Sequence, residues 1–355
     1  MADDLGYKGP SYEKLIRLVM KKKWIVNLAK VMMILLQLFK VVGNNIFIVE
    51  VMVHIFCNQG FSAQYCKPRS FYVLMSFIIS APTYLILNIS FYSYISLGSV
   101  ISACAMIVAL SYQSIYQLTV TSGTLSPQMD HSYKKIFMAF SLIFQGLQGV
   151  GLIMPIRASM MSTNQFRPVQ KYTTLFVATI YLGVFLLMMA AFGNKIQPIV
   201  VLTFSKDYIV IFSLTVLYGL VIFITYPMSL FPIYTAIVNT SICKEYISGG
   251  QGEQSRDRRT KLILYSSRVV CLLTIYAIVL IKPNFVPFLG LVGAVFTCTF
   301  LFYIPLILYN QHFSHRGRLS TARKYFNILA IGIVMIFSMC SAYDSLINMF
   351  RRDKW

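Results

Sequence analysis

Long apolar runs, separated by short polar or basic stretches, repeat from one end of the sequence to the other. The pattern is clearest between Arg69 and Asp130, where no Asp, Glu, Lys or Arg appears. Runs of about 18 or more apolar residues are what a helix needs to cross the hydrocarbon of a bilayer. Nine such runs can be placed, near 27–56, 71–88, 94–118, 135–155, 172–192, 209–238, 263–281, 286–309 and 325–348. The first and sixth are long enough to tilt or kink. Gly43 is the weak point of the first, and Pro227 with Pro232 those of the sixth. The fold class expected is therefore all-α and polytopic, a single transmembrane domain over 1–355. Its main interruption is a glycine-rich, charged loop at 243–261, read as mobile and cytoplasmic.

Composition agrees with this pattern. Only 12% of the 355 residues are charged and 57% are hydrophobic, whereas a soluble domain carries roughly 25% charge. The net charge of +20 suits a membrane protein whose Lys and Arg gather in cytoplasmic loops. No basic stretch is interleaved with base-stacking aromatics, so nucleic acid is not an expected partner. Lys21, Lys22 and Lys23, then Arg157, Arg167 and Lys171, then Lys244 to Lys261, then Arg316 to Lys324 fall on alternate loops. That asymmetry puts the N-terminus inside and, after nine crossings, the C-terminus outside. The first stretch mixes acids with bases and offers no secretory signal.

Few residues offer soluble-enzyme chemistry. The four histidines do not cluster with acids, and no cysteine spacing suits a metal, so neither a metal nor a cofactor is expected. Cys57 and Cys66 share one polar loop, "CNQGFSAQYC", and form a disulfide if that loop faces an oxidising compartment. An ionisable group at bilayer depth points to function. Glu50 and His54, four apart on one helix face, are the proton-coupling candidates, although their place near the end of the first span equally suits headgroup contact. Arg268 and Asp344 also lie in or near spans, where snorkelling is an equal account.

The stretch "GLQGVGLIMPIRASM", 146–160, is the strongest anomaly. Gly146, Gly149 and Gly151, with Gln145 and Gln148 among them, weaken the helix where it must cross oil. Broken helices occur in membranes where the freed backbone lines a cavity or is buried in protein, and transporters bind substrate at such breaks. Close helix packing through small residues is the competing reading.

That stretch, followed by "NQF", resembles the sixth helix of the amino acid/auxin permease family, and most of all its proton-coupled amino acid transporters. In order, "AAFGNKIQPIVVLTF" (190–204), "TYPMSLFPI" (225–233) and "PNFVPFLGLVGAVFTCTFLFYIPLILY" (283–309) resemble the family's loop after helix seven, helix eight motif and helix ten. The resemblance covers essentially the whole chain. It implies a leucine-transporter-type inverted-repeat fold, with the nine spans standing as helices three to eleven and the first two absent. It implies secondary, proton-coupled amino acid transport by alternating access, with an amino acid, protons and the lipid bilayer as partners. Transport by a chain lacking the first half-site is in doubt; a non-transporting amino acid sensor or scaffold with the same fold is the alternative. The substrate site implied is Gly146, Gln148, Gly149 and Gly151, with Asn44 and Tyr226 from neighbouring helices. Gln148 and Arg157 stand where the family has glutamates, which puts any role of those acids in doubt. The plasma membrane and a vacuolar or lysosomal membrane fit equally.

Overall fold

The computed structural model describes residues 12–58, 66–85, 89–120, 133–146, 165–203, 213–220, 253–281 and 284–349 with a few single omissions, and scattered positions at 157, 160 and between 222 and 246. Among the described residues the chain is helical throughout, without a strand. A short α1 (Tyr12–Met20) leads into α2 (Lys23–Val53), which closes in a π turn, His54–Asn58. Then follow α3 (Arg69–Leu85), α4 (Ile89–Val120), α5 (Tyr133–Gly146) and α6 (Phe166–Phe192). After these come α7 (Glu253–Leu280), α8 (Phe285–Val292), α9 (Ile304–His315) and α10 (Thr321–Met349). Two π turns, Gly293–Thr297 and Thr299–Tyr303, join α8 to α9.

Six of these helical stretches are long and apolar enough to cross a membrane: Lys23–Cys57, Leu97–Val120, Phe166–Phe192, Ser255–Leu280, Phe285–Ser314 and Thr321–Met349. Each coincides with one of the nine expected runs. Of the other three, α3 is an apolar helix of 17 residues, and α5 is described only as far as Gly146. The run at 209–238 lies mostly outside the described residues, apart from the helical 213–220. Helix α2 passes through Gly43 unbroken, and the glycine is buried. At a rise of about 1.5 Å per residue, its 31 residues outreach a hydrocarbon layer of about 30 Å.

Residues 253–261, placed by the sequence in the polar loop, instead form the first turns of α7. Glu, Gln, Arg and Lys are good helix formers. Asp257 and Lys261 also pair at 2.7 Å across one turn, a modest local support.

The chain divides into two compact units. Unit 1 comprises 1–39, 131–178 and 283–355; unit 2 comprises 40–130 and 179–282. In unit 1, α5, α8 and α10 pack together, with aromatic edges such as Phe137 and Phe140 on Phe337 and Phe144 on Phe302. Asn284 fixes the start of α8 to the end of α10: its side-chain amide donates to the Asn348 carbonyl and its backbone N–H to that of Met349. These helices therefore run antiparallel. A second apolar cluster in this unit joins Ile16, Val26 and Ala29 to Leu308. In unit 2, α3 packs on α7, and Met106, Leu110 and Met188 form an apolar core between α4 and α6.

Candidate functional site

The glycine-rich stretch begins at the end of α5, and the structure describes its first residues. Gln145 is partly buried, and its amide oxygen accepts a hydrogen bond of 2.5 Å from the Thr297 hydroxyl in the first π turn after α8. Gly146, the last residue of α5, is exposed. Gln148, Gly149 and Gly151 lie outside the described residues, as does Tyr226. Arg157, counted from the sequence among the loop cations, is instead buried. Its long aliphatic stem makes such a position tolerable where the head finds partners.

Asn44 and Asn45 are adjacent on α2 but differ in role. Asn45 is fully buried, donates to the Val41 carbonyl at 3.0 Å, and its amide oxygen accepts a 3.5 Å contact from Ser76. Ser76 also lies 3.1 Å from the Tyr276 hydroxyl, which lies 2.7 Å from Ser80. Ser80 spends its own proton on the Phe77 carbonyl at 3.2 Å, so in its contact with Tyr276 it accepts and the phenol donates. Every hydroxyl proton in this buried chain thus has an acceptor. Asn44, by contrast, is only partly buried and makes no side-chain hydrogen bond among the described residues.

At the far end of α2, Glu50 carries Arg69 as its partner, Nε to Oε1 at 3.1 Å, and Arg69 also donates to the Val279 carbonyl at 3.2 Å. One guanidinium thereby fastens the start of α3 to α2 and to the end of α7. His54 opens the π turn that follows. Beyond it, Cys57 and Cys66 are joined by a disulfide across a separation of nine residues. Tyr72, buried at the start of α3, stacks on Phe56, accepts the Lys67 N–H at 3.2 Å and lies 3.8 Å from the Cys57 sulfur. A sulfur in a disulfide has no proton, so the phenol is the donor in that contact. Glu50, Arg69 and the disulfide thus gather at one end of α2 and α3.

Arg268, an equal case for snorkelling on sequence alone, is buried with its guanidinium 4.8 Å from the Tyr234 ring centre, a cation–π arrangement suited to a desolvated arginine. The residues that sequence reading passed over are mostly serines. Ser76 with Ser80, and Ser341 with Ser345, stand four apart, the spacing that puts a small polar face toward a neighbouring helix.

Two sets of findings place the chain among known proteins. Residues 4–350 match the family described as transmembrane amino acid transporter protein. Among characterised relatives, it is similar to vacuolar amino acid transporter 3 of Saccharomyces cerevisiae, at 29% identity over 73% of this chain and 37% of that protein. It is also similar to amino acid transporter AVT3C of Arabidopsis thaliana, at 25% identity over 57% of this chain and 42% of that one. For amino acid transporter AVT3B of the same plant the figures are 24%, 61% and 49%. The chain matches between about a third and a half of the length of these relatives.

Proposed function

This chain belongs to the transmembrane amino acid transporter family and is an integral membrane protein, and from that premise we propose that it carries amino acids across a membrane by secondary, proton-coupled transport. The observation that carries the reading is the family match across residues 4–350. The name of the yeast relative supports a vacuolar or equivalent internal membrane. In this reading the nine apolar runs all cross, arranged as the latter nine helices of a leucine-transporter-type inverted repeat within one transmembrane domain. The basic loops face the cytoplasm.

Substrate binds at the weakened helix that follows Gln145. Backbone groups freed around Gly146, Gly149 and Gly151 meet the amino acid's ammonium and carboxylate, with Gln148 supplying side-chain hydrogen bonds and Asn44 and Tyr226 as further substrate-binding candidates. The unused hydrogen-bonding capacity of Asn44 supports its candidacy, while Asn45 is already committed to its neighbours. Proton coupling runs through Glu50 and His54. A proton arriving on Glu50 competes with Arg69 for the same carboxylate, so each protonation loosens the tie from α2 to α3 and α7. Alternating access then rocks one group of helices against another.

Radiolabelled amino acid uptake into proteoliposomes holding the natural full-length protein, with an imposed pH gradient, tests this reading. Gradient-driven, saturable uptake is expected, and Glu50→Gln is expected to lose the response to the gradient. Ligand-dependent thermal stabilisation without flux would instead favour a sensor of the same fold.

A further inference from the structure

At one end of unit 1, cations arrive from segments far apart in sequence. Ile16 of α1, Val26 and Ala29 of α2 and Leu308 of α9 share one apolar cluster. Further along α2, Phe39 meets Phe288 and Phe296. Helix α2 therefore runs antiparallel to the α8–α9 stretch, and its start lies toward the end of α9. Helix α9 closes at His315, and the chain reverses through Gly317, whose φ of 63° is the left-handed conformation that glycine adopts without strain. Asn327 of α10 then donates to the Asn310 side chain at 2.6 Å, which keeps α9 and α10 side by side. The α1–α2 junction and the α9–α10 turn thus stand at the same end of the unit.

That end is strongly positive. Arg17, Lys22, Lys23, Arg316, Arg323 and Lys324 are all exposed, and no Asp or Glu occurs in 14–30 or 310–324 to offset them. Arg17, Lys22, Lys23, Arg323 and Lys324 make no ion pair among the described residues. Large exposed aromatics follow both basic pairs at once. Trp24, 63% exposed, comes after Lys22 and Lys23, and Tyr325 with Phe326 after Arg323 and Lys324. Exposed apolar side chains then continue along each helix, Leu28 on α2 and Leu329 on α10. Cations, then aromatics, then an open apolar surface is the order met on passing from water through headgroups into hydrocarbon.

The gathering of cations in cytoplasmic loops accounts for orientation, but a patch drawn from separate segments and edged by aromatics on two helices also has a binding chemistry. Its breadth suits a layer of phosphates, and its aromatic edge suits the lipid beneath them. Clusters of roughly four to eight Lys and Arg beside a membrane helix attract anionic headgroups in this way. We propose that this end of unit 1 is a docking surface for the anionic phospholipid headgroups of the cytoplasmic leaflet. Lys22, Lys23, Arg323 and Lys324 meet the headgroup charge, and Trp24 fixes the depth. The surface is independent of the transport reading. It holds α1, packed on α9 through Ile16, at the membrane face.

The test uses the natural full-length protein in lipid nanodiscs. Quenching of Trp24 fluorescence by brominated phosphatidylserine is compared with quenching by brominated phosphatidylcholine at equal mole fraction, and Trp24→Phe gives the background to subtract. Quenching about threefold stronger by phosphatidylserine is expected, fading as sodium chloride is raised. Lys22→Gln/Lys23→Gln should remove the preference. Arg323→Gln/Lys324→Gln, distant in sequence from Trp24, should weaken it. Arg258→Gln/Lys261→Gln, which takes the same charge from α7 in unit 2, should keep it. Equal quenching by the two lipids, a preference that survives either of the first two variants, or its equal loss in the third overturns the proposal. Loss of the preference to inorganic phosphate, where chloride at the same ionic strength leaves it, overturns it too, by making the ligand a soluble anion.

Discussion

In unit 2 the hydroxyls of Ser76, Ser80 and Tyr276 form a chain that runs from Asn45 to the Phe77 carbonyl, and each has a partner. In unit 1 the hydroxyls of Ser141, Ser341 and Ser345 are as deeply buried but have none. Both sets sit between helices with serines four apart, so the spacing alone does not separate them. What separates them is the opposing surface. Across from Ser76 and Ser80 stands a tyrosine that can both donate and accept. Across from Ser141 and Ser345 stand Gly293 and Gly290, which offer only backbone already used within their helix. A saturated chain glues helices together; an unsaturated one leaves its hydroxyls without that glue.

The largest effect that would sharpen this contrast is steric. Gly293→Ala forces its methyl onto the Ser141 backbone, which cannot swing aside as a side chain would, and it should cost about 3 kcal/mol. Gly183→Ala in α6, where nothing lies within 4 Å, should be neutral or stabilise by up to about 1 kcal/mol. Thermal unfolding in detergent compares the two. Equal melting temperatures for both variants would mean that α5 and α8 are not in backbone contact.

Next in size is the disulfide of unit 2. Closing a loop with a separation of nine residues is worth about 2–3 kcal/mol in the chain-entropy treatment, so Cys57→Ser should lower the melting temperature and remove its sensitivity to reductant. A wild-type protein indifferent to reductant would argue that Cys57 and Cys66 are not joined.

Smaller again are the hydroxyl deletions, which probe the comparison itself. Tyr276→Phe strips the shared donor from Ser80 and the partner from Ser76, and should cost about 1 kcal/mol, the upper part of the range for polar contacts between membrane helices. Ser341→Ala removes a group that has no partner among the described residues and should change stability by no more than about 0.5 kcal/mol. If the order is reversed, the assignment of saturated and unsaturated sets is wrong.

Much of the helical frame is legible in the sequence because span length and hydropathy are properties of a continuous segment. The ends of α2, α6 and α10 follow directly from where charge and polarity return. The start of α7 does not, since Arg256 to Lys261 read as loop by charge yet are strong helix formers. The glycines at 146, 149 and 151 read as a weakened helix because their oddity is local, and the second and third of them lie outside the described residues. Gly290 and Gly293 carry no such signal: their meaning lies in Ser345 and Ser141, residues distant in sequence. Arg69, which occupies Glu50, is hidden from the sequence for the same reason, since the pairing across 19 residues depends on how α3 returns along α2.

The claim that most needs testing is that the stretch opening at Gly146 receives an amino acid. Equilibrium binding of radiolabelled amino acids to the purified full-length protein addresses it without requiring transport. Saturable binding that falls at least tenfold in Gln148→Ala and in Asn44→Ala, while Ser80→Ala binds as wild type does, is the predicted result. Binding unaffected by Gln148→Ala and Asn44→Ala, or lost equally in Ser80→Ala, would contradict it.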